Sequence, residues 1–202
     1  MKSEVVTVTS AEDGVREALS MTEAFGVKSG LDKKSVLRIR LLAEELLGML
    51  RGIAGQVRAD YRLSVEDGRF ALSLNANVVM TSEIREQFLS ASSSGKNEAA
   101  NSFMGKIRHM IAGILLSVKE TLPYAVMNDA SPVYPMGVFA GDGGYSWSMA
   151  YYKRNVQDRL KTGSDAGSAW DELEKSIVAN LADDVKVKIV GSNVEITVLK
   201  AF

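Results

Sequence analysis

Between positions 57 and 74 apolar side chains fall on every second residue: Val57, Ala59, Tyr61, Leu63 and Val65, then, across Asp67-Gly68, Phe70, Leu72 and Leu74. A period of two places them on one face of a pleated strand, and Asp-Gly is a favoured two-residue turn between antiparallel strands, so the segment predicts a β-hairpin. VKVKIVGSNVEITVLK repeats this arrangement around Gly191 to Asn193 and predicts a second hairpin. Elsewhere the period changes. Val36, Ile39, Leu42, Leu46, Leu50 and Ile53 follow at three or four residues, the spacing of one buried stripe on a long helix over 31–53, with Gly52 and Gly55 closing it.

The remaining elements are shorter. EVVTVT at 4–9 is β-branched enough for a strand, and Ser10 stands three residues before Asp13 as a cap-like start for a helix reaching about Phe25; residues 26–30 read as a loop. A short helix is predicted over 81–89, a loop of small residues over 90–102 and a helix over 103–118. The stretch from Pro123 to Gly144 holds all three prolines and reads as an irregular connection. YSWSMAYY at 145–152 predicts a strand, 153–169 a polar segment, and 170–181 a third helix. Hairpins outnumber strand-helix-strand crossovers, which points to an α+β fold, a two-layer sandwich whose mixed, mostly antiparallel sheet carries helices on one face.

Composition narrows the chemistry. The chain has 202 residues, 46% of them hydrophobic and 24% charged, which suits a globular domain. Its 24 basic and 25 acidic residues leave a formal charge of -1, so neither nucleic acid nor an anionic membrane is the expected partner. MKSEVVTVTS lacks the continuous apolar stretch of a signal peptide, and the longest apolar stretch, 110–116, is too short to span a membrane. Zero cysteines exclude thiolate catalysis and fit a cytoplasmic location; a single histidine, His109, excludes any site needing two imidazoles.

Candidate chemistry begins on the long helix, where Glu44 and Glu45 interrupt an apolar run. One reading makes them an edge pair meeting Arg38, Arg40 or Arg51 at helical spacing. The other comes from the order of elements. A helix with Glu-Leu-Leu, a hairpin turning at Asp-Gly, a loop of small residues and another helix together resemble the GHKL ATPase superfamily, the histidine-kinase-like and anti-sigma-factor ATP-binding domains. The resemblance spans about residues 1–152; residues 153–202, a helix and hairpin extension, would pack on or complete the same domain. It implies the sandwich fold with the extension partly covering the second face, ATP or ADP as ligand and a regulatory protein as partner.

Carried over by position, Glu45 takes the place of the family's catalytic glutamate. Met49 takes the place of the asparagine that holds magnesium, and a thioether is a poor ligand for that hard cation, so Mg2+ is not expected. Asn75-Ala76-Asn77-Val78-Val79 stands where Asp-x-Gly-x-Gly receives adenine, with Asn75 as the acceptor and both glycines replaced. Gly95, Lys96, Asn97 and Ser102 fall in the lid before a helix whose N-terminus would receive phosphates. A P-loop is excluded, because Ser90 and Asn97 occupy positions that need Gly and Ser or Thr. The resulting expectation is a nucleotide-binding or formerly nucleotide-binding regulatory domain without efficient hydrolysis. The alternatives are a nucleotide-free protein-interaction module on the same scaffold and an anti-sigma-type protein serine kinase. Three further features read as structural: His109 inside a helix, AGDGGYSW as a turn before a strand, and Asp183-Asp184 as a solvated helix end rather than a cation site.

Overall fold

A computed structural model of the chain describes residues 1–50, 57–79, 103–119, 138–141, 144–163 and 166–202. The period-two segments form two long hairpins. β2 (Arg58–Glu66) and β3 (Arg69–Asn77) turn at Asp67 and Gly68, whose φ angles of 48° and 73° supply the two left-handed positions that a tight right-twisted hairpin needs. β6 (Asp184–Val190) and β7 (Asn193–Ala201) turn at Gly191 and Ser192. The hairpins join through β3 and β7, with Leu72 opposite Val198, so the C-terminal strands lie inside the sheet rather than beside it. β1 (Val6–Thr9) adds to β2, and β5 (Gly144–Ser148) with β4 (Val138–Gly141) adds to β6. The seven strands run in the order β1-β2-β3-β7-β6-β5-β4.

One face of this sheet is apolar because its alternate residues are. Tyr61, Leu63, Phe70, Leu72, Val187 and Val198 are all buried there. On it lie α1 (Val15–Lys28), α2 (Lys33–Gly48) and α3 (Phe103–Lys119), followed by α4 (Met149–Lys161), α5 (Gly167–Lys175) and α6 (Ile177–Leu181). α2 begins at Asp32, whose carboxylate accepts from the Ser35 amide at 2.7 Å, and its stripe of Ile39, Leu42 and Leu46 is fully buried. The polar tie in this core is Thr22. Its hydroxyl donates to the Ala18 carbonyl at 2.8 Å, which leaves the Tyr61 hydroxyl, 2.8 Å away, to donate to it. Burial pushes the Tyr61 phenol pKa up, keeping it the neutral donor this bond requires.

The α+β sandwich follows the expectation, with several local corrections. Every pairing between described strands is antiparallel, because each described connection within the sheet is a hairpin or a return to a hairpin's edge. Ser10 does not cap α1; its amide donates to the Val57 carbonyl at 3.0 Å and its hydroxyl accepts from the Val57 amide at 3.3 Å, and the N-cap of α1 is Gly14, without a side-chain cap. The first helix runs on to Lys28, and α2 stops as a helix at Gly48. Residues 51–56, 81–89 and 90–102, with most of the proline-containing stretch, lie outside the described residues, although its end forms β4 instead of an irregular connection.

The largest difference concerns YSWSMAYY. Only Gly144–Ser148 is strand, and a helix then continues through the segment expected to be merely polar. The cause is partly local and partly distant: Ser148 caps α4, its hydroxyl accepting from the Tyr151 amide at 3.3 Å, and Asp184 accepts from the Ser148 hydroxyl at 3.0 Å and from the Ala150 amide at 2.9 Å, holding the first turn. Met149, Tyr152 and Val156 then point inward at helical spacing, and Tyr152 meets Trp147 and Phe103 with ring centroids 6.1 and 6.2 Å away. These added helices therefore share the face already covered. Among the described residues the opposite face is not covered as expected: Arg62, Asn75, Lys188 and Glu195 stand exposed on it. The expected third helix is two, broken at Ser176, whose extended backbone and hydroxyl start α6.

Candidate functional site

Two neighbouring hollows flank the C-terminal half of α2. Arg40 pairs with Glu44 at 3.0 Å and with Glu23 of α1, so one of the two helix carboxylates is the edge ion pair that helix spacing suggested. Glu45 is different. It is half-buried and forms no ion pair among the described residues, and burial followed by the charge of Glu44 raises its carboxyl pKa. It opens onto a cleft of about 280 Å³ between α2, the first turn of α3 and the α5–α6 corner. Phe103, Met104 and Ile177 supply apolar walls; Glu172, Lys175 and Ser176 supply polar ones. Lys106 binds Glu172 at 2.6 Å and ties α3 to α5 across the rim.

Four residues further on, at the C-cap of α2, Met49 is 4% exposed and faces a separate hollow of about 60 Å³. Leu50, Leu74, Val78 and Ile111 help to line it, and Arg108 is the one polar residue among its described walls. Burial lowers the Arg108 pKa. This hollow lies where the resemblance would put a base and its metal, and the donor set does not fit a magnesium ion: the position carries a thioether among hydrocarbon side chains. Among the described residues no cluster of three or more His, Asp or Glu is placed to hold a metal ion.

Asn75 does not join either hollow. It stands between Asp60 and Glu195 on the open face of the sheet, the opposite side from Glu45, so its expected role beside a base is corrected. The reason is parity: Leu74 points into the core, and the next residue of a strand must point away. That signal was legible in the sequence. Gly95, Lys96, Asn97 and Ser102 lie outside the described residues. The cleft residues that sequence reasoning missed are Glu172 and Lys175. They belong to an extension with no place in the resembled core, and only the fold brings them to Glu45.

His109 lies half-buried in α3, where burial and then Arg108 depress its pKa. Asp184 accepts from the Ser148 hydroxyl and the Ala150 amide at the start of α4, and Asp183 accepts from Lys200 at 2.9 Å and from the Ala201 amide. In AGDGGYSW, Gly141 of β4 opposes Gly144 of β5, and the two residues between them lie outside the described residues. Partial burial opposes ionisation of Asp183, yet the bonds from Lys200 and Ala201 prevail and hold its carboxyl below the ordinary value. A depressed folded pKa contributes stability above the unfolded value, and this is lost as pH falls through the folded one. Asp183→Asn is therefore expected to flatten the acid limb of the stability curve below about pH 4, while the wild type loses stability there. Parallel acid limbs in urea melts from pH 2 to 7 would contradict it.

No helix among the described residues is long and apolar enough to cross a membrane. Comparisons with family models, with curated proteins and with solved structures find no match to this chain.

Proposed function

We propose that this protein is a regulatory domain of histidine-kinase-like ATPase type in which the nucleotide position has become hydrophobic core, so that it works through a protein partner and not through ATP turnover. The observation that carries the reading is Met49, buried at the α2 position where the resembled family places a metal-binding amide, with only about 60 Å³ left beside it. The order of the first elements, from the β1 strand through the Glu45 helix and the Asp-Gly hairpin to α3, supports the family side of the proposal. The loss of function follows from electrostatics. A nucleotide's phosphate charge needs a cation or several preorganised donors to be held in a reactive geometry, and an unpaired Glu45 would repel it.

Calorimetric titration tests this directly. ATP and ADP are expected to bind no more tightly than about 1 mM, equally with and without magnesium, and phosphate release is expected to match a protein-free control. Saturable, magnesium-dependent ATP binding by the unmodified protein would overturn the proposal.

A further inference from the structure

We propose that the cleft beside Glu45 binds a free amino acid with an apolar side chain, its ammonium group on Glu45, its carboxylate on Lys175 and its side chain against Phe103, Met104 and Ile177. This goes beyond the regulatory reading and does not require an ATPase ancestry. Glu172 is already engaged by Lys106, which leaves Glu45 and Lys175 as the opposite charges on the cleft wall with no ion pair among the described residues. A lone anion would be repelled by Glu45 and a lone cation by Lys175; a ligand carrying both charges satisfies both groups.

Burial makes the carboxylate the stronger half of this argument. Glu45 is partly withdrawn from water with no protein donor among the described residues, and burial raises its carboxyl pKa. An ammonium group seated against it would add charge-assisted hydrogen bonds. The volume limits what else can enter. At about 280 Å³ the cleft lies below the usual range of about 300–1,000 Å³ for drug-sized ligands, so a single amino acid is a better match than a nucleotide or a long peptide. The walls then set the side-chain preference. Phe103 and Met104 from α3 and Ile177 from α6 offer apolar surface and no partner for a polar side chain.

Two elements outside the first 152 residues build half of the cleft, which gives the extension a function besides completing the sheet. Occupancy would link α2, α3 and the α5–α6 corner through one ligand, adding a connection to the Lys106–Glu172 pair that already spans the rim. Ligand binding to the folded state alone raises stability by mass action, so melting temperature serves as a second readout.

The test is isothermal calorimetry on the full chain with leucine, methionine and phenylalanine, beside leucine amide, N-acetylleucine and the dipeptide Leu-Leu. Saturable binding of at least one free amino acid is expected, weakened at least tenfold when either charged end is blocked. Glu45→Gln and Lys175→Met are each expected to weaken it by a similar factor while leaving the far-ultraviolet circular dichroism spectrum unchanged. Three results would overturn the inference: no saturable heat up to about 10 mM of any of the three amino acids, blocked forms that bind as well as free ones, or unchanged affinity in both variants. Tighter binding of Leu-Leu than of leucine would overturn the single amino acid as the occupant. ATP run in parallel keeps the two proposals apart, since nucleotide binding reports on the regulatory reading and amino-acid binding reports on this cleft.

Discussion

Leu46→Ala is expected to destabilise the protein by about 2–5 kcal/mol, the range for emptying a close-packed leucine site. Leu46 is fully buried in the stripe of α2 that lies on the sheet, with Ile39 and Leu42 on the preceding turns. Truncation removes transfer energy and leaves a hole that β3 and β7 cannot close, because both are held in the middle of the sheet by partners on each side. Its neighbour provides the control. Glu45 stands on the same helix but opens onto the cleft, so Glu45→Gln is expected to change stability by roughly 0.5 kcal/mol or less. Urea melts of both variants, with unchanged denaturant slopes, measure the difference. A larger loss for Glu45→Gln than for Leu46→Ala would mean that α2 is rotated from the orientation described.

Gly14→Ala is expected to cost at least about 2 kcal/mol, by two mechanisms that a second glycine separates. Gly14 begins α1 with φ at 73°, a left-handed conformation that side chains adopt reluctantly. A Cβ there would also stand 2.2 Å from the Thr7 carbonyl oxygen, inside any allowed contact with the β1 backbone. Relief requires the edge strand or the helix start to move. Gly30 has a similar φ of 83° but open space around it, so Gly30→Ala isolates the conformational part, about 1 kcal/mol. The Gly14 variant should melt lower than the Gly30 variant by an amount that reflects contact with β1. Equal destabilisation would show that the approach to Thr7 is relieved without cost.

What the amino-acid sequence determined by itself was everything that depends on a residue's neighbours within a turn or two. Period-two apolar residues around Asp67-Gly68 and Gly191-Ser192 set both long hairpins, because strand pleat and left-handed turn positions are local properties. The three-to-four spacing of Ile39, Leu42 and Leu46 set the buried side of α2 for the same reason, and strand parity already placed Asn75 on the face away from Glu45. Tertiary structure decided what depends on residues far apart. The helix at Met149–Lys161 reads locally as strand and polar segment; Ser148 caps it, and the Asp184 carboxylate of the neighbouring strand holds that cap by accepting from the Ser148 hydroxyl and the Ala150 amide. The cleft has the same origin: Glu45, Phe103, Glu172 and Lys175 share no sequence spacing, and they meet because α2 and α3 cover the same apolar face of the sheet while α5 packs against α4 and α6 against α2.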